Sequence, residues 1–243
     1  MKKNNNFDIC AIIPARSGSK LIKNKNILKF KRKPSLYYSI AAAKKIPLIN
    51  KIVFSSDSKN YLKIAEKYKP DLLHLRSKKN STSKAKDLDF LTEIYNYLVR
   101  EHNYNPDIFL VLRANSPTKS VNDISSAIKI FINNFNKYTS LRSVQLMSET
   151  SYKTYYLKNK TLIGVMTNSS KIDNTSASKQ TFKKTYAGNG CIDLIKTKNL
   201  VKKILYGNKS YPFIPKDICV DIDYPEDITY AEFVLKNFKN YIK

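Results

Sequence analysis

Among its 243 residues the sequence contains no tryptophan, five glycines, three cysteines and two histidines. With only His74 and His102 available, a mechanism built on a histidine base or a histidine triad has little support. The cysteines, Cys10, Cys191 and Cys219, stand apart in apolar stretches that read as strands. No Cys/His spacing resembles a zinc site. An odd number of cysteines in such places predicts reduced, buried thiols and no disulfide framework. No apolar run approaches the roughly 18 residues of a membrane-spanning helix. The run at 9–13 is too short, and too soon cut by Pro14, to act as a signal core, so the expected location is the cytoplasm. Acidic residues are also scarce: 19 against 44 basic ones, for a formal charge of +25. Such a charge attracts anions and is common in nucleic-acid-binding proteins. A non-catalytic protein of that kind is the alternative class. It requires clustered Lys/Arg with interleaved aromatics, whereas here the lysines are spread evenly among asparagines and read as a solvated surface.

What is present is an alternation of periodicities. The apolar run at 9–14 reads as a buried strand, and 34–46 has helical spacing through Leu36, Ile40, Ala43 and Ile46. A second strand is expected at 51–55, followed by Ser56-Asp57-Ser58 as cap chemistry for a helix reaching Tyr68. Further strands are expected at 72–75 and 107–112, and helices at 87–102 and 120–134. Short connections between alternating strands and helices predict a layered α/β fold with a mainly parallel central sheet. Ligands then bind at the carboxyl ends of the strands. From about 139 to 187 the pattern changes. Residues 152–158 read as a polar, aromatic edge strand, and 167–185 are rich in Ser, Thr, Asn and Lys, which predicts an inserted lobe. Strands return at 191–195 and 218–220, and a last helix starts near Pro225 with Glu226 and Asp227 at its positive end.

Four loops carry candidate chemistry. Pro14-Ala15-Arg16-Ser17-Gly18-Ser19-Lys20 follows the first strand. A turn of Gly and Ser aims backbone N–H groups into one concavity suited to phosphate, and Arg16 and Lys20 add cationic donors. The spacing is neither that of a Walker A loop nor of a dinucleotide-binding loop. In Val220-Asp221-Ile222-Asp223, strand alternation puts both carboxylates on one face; a divalent cation relieves their repulsion, and Mg²⁺ prefers a few carboxylates plus phosphate oxygens and water. Capping of the next helix is the competing reading, and it suits Glu226 and Asp227 better. Arg113-Ala114-Asn115-Ser116-Pro117 sits where a substrate is contacted or simply where the chain turns. Gly188-Asn189-Gly190 suggests a bend or a close backbone approach.

These pieces, in this order, resemble the acylneuraminate cytidylyltransferase family, which includes the CMP-sialic acid synthetases and relatives acting on other nine-carbon acidic sugars; the CMP-Kdo synthetases share its fold. The resemblance is carried by Pro14-Ala15-Arg16-Ser17-Gly18-Ser19-Lys20 with Lys25-Asn26, by Ser55-Ser56-Asp57, Leu75-Arg76, Arg113 to Lys119, Lys153-Thr154, Asn189-Gly190, and Asp221-Ile222-Asp223 with Glu226-Asp227. It spans nearly the whole chain. It implies a three-layer, Rossmann-like nucleotidyltransferase fold over 1–243 with a small lobe inserted at 139–187. It also implies transfer of CMP from CTP to an acidic 2-keto sugar, a nonulosonic acid of the sialic, legionaminic or pseudaminic type; a different nucleotide or sugar is the nearest alternative. By the same resemblance Arg16, Ser17, Gly18, Ser19 and Lys20 surround the triphosphate, Lys25 and Asn26 line the nucleotide pocket, and Arg76 and the backbone near Ala85 face cytosine. Asp221 and Asp223 carry Mg²⁺. Arg113, Asn115, Ser116, Lys153, Asn189 and Gly190 lie toward the sugar, and Arg16, Lys20, Asp221 and Asp223 serve catalysis. The inserted lobe is implied to reach a partner in a homodimer. Departures concentrate at the sugar end, where Arg113 replaces Gln, Asn115 replaces Thr and Thr118-Lys119 replace Leu-Arg, so the nucleotide and metal ends are the better kept.

Overall fold

The computed structural model describes residues 7–19 and 21–242. Its elements are β1 (Ile9–Pro14), β2 (Lys29–Phe30), β3 (Lys33–Pro34), α1 (Ser35–Lys44), β4 (Lys51–Ser56), α2 (Lys59–Glu66), β5 (Leu72–Leu75), α3 (Asp87–His102), β6 (Ile108–Val111) and α4 (Val121–Asn133). They continue with β7 (Ser140–Leu146), β8 (Tyr155–Lys158), β9 (Thr161–Gly164), β10 (Tyr186–Lys196), α5 (Thr197–Val201), β11 (Ser210–Phe213) and α6 (Pro225–Asn237). The chain divides into two compact units, one of 1–143 and 189–243, the other of 144–188.

The first unit is a three-layer α/β structure around a seven-stranded sheet of order β11-β7-β10-β6-β1-β4-β5. β1 pairs in parallel with β4 and β6, β4 with β5, and β11 with β7, while β10 runs antiparallel to β6. Strand alternation builds the two faces. Ile9, Ala11 and Ile13 of β1 pack with α1, α2, α4 and α6, through side chains such as Leu36, Tyr61, Ile128 and Val234. Cys10 and Ile12 pack on the other face with α3 and α5, through Phe90, Leu91, Ile94, Leu98 and Leu200. β1 is a continuous apolar run because both of its faces are covered. At α2, Ser58 caps as expected, its side chain accepting from the Tyr61 amide at 3.3 Å. Among the described residues, no helix is long and apolar enough to cross a membrane.

Two expectations are corrected. Cys191 and Cys219 form a disulfide with Cα atoms 6.2 Å apart, and only Cys10 is a free, buried thiol among the described cysteines. Counting cysteines could not reveal this, because residues 28 apart in sequence meet only when the 219–223 segment folds back beside β10. Residues 218–220 form no ladder; the segment is held by side-chain and loop partners, with the Val220 amide donating to Thr118 Oγ1 and the Ile222 amide to the Asn115 carbonyl. The edge strand expected at 152–158 is present as β8, which pairs with β9 alone in a two-stranded hairpin of the second unit. The stretch from 139 opens with β7, a strand of the main sheet, and the second compact unit runs from 144 to 188. β7 is hard to read because its buried positions include the polar Ser140 and Ser143 while its apolar Leu146 is exposed, which blurs the period-2 signal.

Candidate active site

Arg16, Lys25, Asn26, Arg76, Arg113, Asn115, Asp221 and Asp223 come together around one cleft of about 240 Å³ in the first unit. Pro14, Asp87 and Phe90 complete its wall. The cleft lies at the carboxyl ends of β1, β5 and β6, where a parallel sheet leaves strand ends and helix starts free for ligand.

Each piece is held by local bonding. The loop after β1 is closed on Asp57, whose carboxylate accepts from the Ser17 amide at 2.8 Å and the Ser17 hydroxyl at 2.9 Å. Ser17 therefore spends both donors on the protein and has none for phosphate. Gly18 has an ordinary φ and open space where a Cβ would stand, so nothing there requires glycine. Arg16 donates to the Gly18 carbonyl at 3.1 Å, and its own carbonyl accepts from Asn26 Nδ2 at 2.8 Å. Asn26 and Lys25 sit on a short 3-10 turn that Asn24 opens in the left-handed region, at φ 59°. The loop after β6 is held from below by α1: Ser35 donates to the Ala114 carbonyl at 2.6 Å and Ser39 to the Arg113 carbonyl at 2.9 Å. Small hydroxyl side chains on the buried face of α1 let that loop approach closely while satisfying its carbonyls.

The electrostatics separate two kinds of cation. Arg113 is engaged: its guanidinium bridges Asp87 and Asp193, the latter at 2.8 Å. Burial opposes its charge, but those two carboxylates outweigh it and hold the guanidinium firmly protonated. Lys25 Nζ lies 2.7 Å from Asp223. Arg16 and Arg76, in contrast, have no ion-pair partner among the described residues. Arg76 is 5% exposed, stacks over the Phe90 ring at 4.3 Å, and is pushed down to about 10 by burial against the pull of Asp57, Glu93 and Asp87. Two guanidinium groups without an ion-pair partner facing one cleft form a receptor for an anion.

On the opposite wall, Asp221 is mostly buried and its Oδ1 has no hydrogen-bond partner. Burial raises its carboxyl, countered first by Lys119. Lys119 is fully buried, donates to the Cys191 carbonyl at 2.9 Å, and is pushed down to about 7 by burial against the pull of Asp221. Asp223 projects from the same segment, and its side chain is 54% exposed. Val220 and Ile222 between them point into the core, so the alternation expected of a strand persists without one. No group of three or more His, Cys, Asp or Glu gathers among the described residues. A metal here would thus take one or two carboxylates and fill its shell with phosphate and water. That donor set, with one orphaned buried oxygen, fits Mg²⁺.

The remaining residues implied by the resemblance do not form the wall of this cleft. Lys20 lies outside the described residues. The Ser19 amide donates to the Ser17 carbonyl, and the Ala85 amide is taken by the Thr82 carbonyl. Ser116 is fully buried, with its hydroxyl 3.3 Å from the Cys219 sulfur, so it supports the disulfide and not the cleft. Asn189 accepts from the Ser143 hydroxyl at 2.6 Å. Gly190 has φ +64°, and a Cβ there would stand 3.0 Å from Asp221 Oδ2, which is a close approach of the kind its sequence suggested. Lys153 belongs to the second unit, its Nζ 6.0 Å from the Phe182 ring. Sequence reasoning missed Asp87, Phe90, Asp193, Asp57's clamp and Lys119. Only Asp87 offered a signal, as an acid in the first turn of a well-read helix.

A larger groove of about 690 Å³ lies at the other end of β10, lined by Lys137, Lys196, Lys198, Lys202 and Lys209 among others. It contains no carboxylate and so cannot pair a metal with an anion as the smaller cleft can.

A protein-family model described as Cytidylyltransferase matches residues 10–209, which ends short of Asp221 and Asp223. The N-acylneuraminate cytidylyltransferase of Escherichia coli O18:K1:H7 is 46% identical over 82 residues, 34% of this chain and 19% of the relative. The Helicobacter pylori pseudaminic acid cytidylyltransferase and UDP-2,4-diacetamido-2,4,6-trideoxy-beta-L-altropyranose hydrolase is 44% identical over 79 residues, 32% of this chain and 15% of the relative. The matches thus span a fifth or less of these relatives. A solved CMP:2-keto-3-deoxy-manno-octonic acid synthetase complexed with CTP superposes with a TM-score of 0.64 at 11% identity, covering 94% of this chain and 98% of that one. At that identity the likeness shows the fold: a nucleotidyltransferase-type α/β fold with a mainly parallel sheet.

Proposed function

This chain belongs to the cytidylyltransferase family, and we propose that it transfers CMP from CTP to the anomeric hydroxyl of an acidic 2-keto sugar, a nonulosonic acid, releasing pyrophosphate. The observation that carries the reading is the shared cleft: Arg16 from the first loop and Asp221 and Asp223 from the last segment line one cavity although more than 200 positions separate them in the sequence. In this reading Arg16 and Arg76, the guanidinium groups without ion-pair partners, receive the anionic nucleotide, Arg16 at the phosphates and Arg76 toward the base. Asp221 and Asp223 hold Mg²⁺, which when bound neutralises phosphate charge and polarises the reacting phosphoryl group. The chain's own contribution is alignment and charge placement. The Asp57 clamp fixes the first loop, Lys119 holds negative charge on Asp221 from beneath, and Asp87 and Asp193 hold Arg113 still at the cleft wall.

The same proposal assigns the second unit to a homodimer contact and to substrate, with Lys153 toward the sugar, in a cytoplasmic enzyme. What supports the dimer is the apolar surface of its hairpin and of the turn that follows, where Leu157, Val165 and Met166 are 76%, 50% and 52% exposed. The test of function is pyrophosphate release with each of the four nucleoside triphosphates and Mg²⁺, over a panel of nonulosonic and other 2-keto sugar acids, with the CMP-sugar identified by mass. Turnover with CTP and one of these acids is expected. Turnover with another nucleotide only, or with none, would refute the proposal.

A further inference from the structure

Beneath Arg76 runs a buried chain of polar groups that spans two neighbouring strands. Ser55 on β4 and His74 on β5 are register partners in a parallel pair, so their side chains stand side by side. Ser55 is fully buried and His74 is 4% exposed. The Ser55 hydroxyl lies 3.0 Å from His74 Nδ1. Arg76 donates to that same hydroxyl through Nε at 3.3 Å and to the Ser55 carbonyl through Nη2 at 3.2 Å. On its far side, His74 Nε2 faces Glu93 Oε1 at 3.7 Å. Glu93 in turn accepts from the Ser77 amide at 2.7 Å and the Ser77 hydroxyl at 2.6 Å.

The directions of these bonds follow from the donor inventory. Guanidinium Nε can only donate, so the Ser55 oxygen accepts from Arg76. The hydroxyl's single proton has one acceptor within reach, His74 Nδ1. Nδ1 must then carry no proton, and the ring proton sits on Nε2, toward the Glu93 carboxylate. The reverse tautomer leaves the serine proton without an acceptor and sets a bare Nε2 lone pair against a carboxylate. A charged imidazolium is disfavoured by burial and by the adjacent guanidinium.

We propose that His74 is a positioning residue for nucleotide recognition: as a neutral Nε2–H tautomer it orients the Ser55 hydroxyl, which fixes the guanidinium of Arg76 in the cleft. The inference rests on the proposed function, in which Arg76 faces the base of CTP. His74 touches neither the cleft nor the nucleotide, being absent from the cleft wall, and works through Ser55.

Two measurements test it. The chain has only two histidines, so long-range ¹H–¹⁵N correlation at neutral pH resolves each ring. The expected spectrum gives His74 an unprotonated Nδ1 and a protonated Nε2; the opposite tautomer, or a charged ring, overturns the proposal without any variant. In kinetics, His74→Leu removes the acceptor and is expected to raise the CTP KM about tenfold, to narrow the preference for CTP over UTP, and to leave kcat within about twofold of wild type. His74→Asn, whose amide oxygen takes the place of Nδ1, is expected to restore most of the KM. A Leu variant that is folded and has wild-type KM and selectivity overturns the proposal, as does an Asn variant no better than Leu. A wild-type chain that gives the expected tautomer but binds no CTP with Mg²⁺ instead overturns the proposed function, and with it the role given to Arg76.

Discussion

Acidification should unfold this protein partly through His74, and the size of the effect can be worked out. Burial, opposed by Glu93 and reinforced by Arg76, pushes the His74 imidazole down to about 4 from its ordinary 6.5. The unfolded chain therefore binds a proton at His74 that the folded chain refuses between those two values. Stability is fully present above about pH 6.5 and is lost as the pH falls toward 4. At pH 5 the linkage amounts to about 2 kcal/mol, and the full shift corresponds to about 3 kcal/mol. The side chain is almost fully buried, so solvent screening removes little of it. Urea midpoints measured from pH 7.5 to 4.5 for wild type and for His74→Asn isolate this group, since every other residue is common to both chains. The wild-type curve should fall away from that of the variant by about 2 kcal/mol near pH 5. Parallel curves, or a wild type that gains stability relative to the variant on acidification, would refute the assignment of a buried neutral ring.

Asp223→Asn should lower Mg²⁺-dependent CMP-sugar formation by about 10²-fold or more, while thermal melting stays close to wild type because that side chain is half exposed; near-normal turnover would remove the metal assignment. Gly190→Ala places a Cβ 3.0 Å from Asp221 Oδ2 at a φ of +64°, so a stability loss of about 1–2 kcal/mol and a weakened Mg²⁺ response are expected in melting and metal titrations. Non-reducing peptide mapping should recover Cys191 linked to Cys219, and reduction should cost about 3–4 kcal/mol of unfolding free energy for a loop of 28 residues; a free-thiol count of three in the native, oxidised protein would contradict the bond.

Much of the fold was legible from local pattern. The apolar run of β1, the capped start of α2, and the amphipathic stretch that became α3 over Asp87–His102 each express their periodicity within a short window, so neighbours along the chain suffice to read them. The first loop and Asp221-Ile222-Asp223 were legible as chemistry for the same reason: cationic turn and paired carboxylates are local signatures. β7 was not, because its buried half is mostly polar, and the pairing of β8 with β9 is a tertiary fact.

What only the tertiary structure decided is which groups meet. Arg113 reads from the sequence as a substrate contact or simply part of a turn; that Asp87 and Asp193 close on it from α3 and β10 is a tertiary fact. Ser17 looked like a phosphate donor, yet Asp57 takes both of its protons. Cys191 finds Cys219, and His74 finds Ser55 only because β4 and β5 pair in one register. Sequence determines each residue's own chemistry and its nearest neighbours along the chain. Burial and partnership, which set whether a charge is free, neutralised or shifted, depend on contacts between distant segments, and those exist only once the sheet has formed.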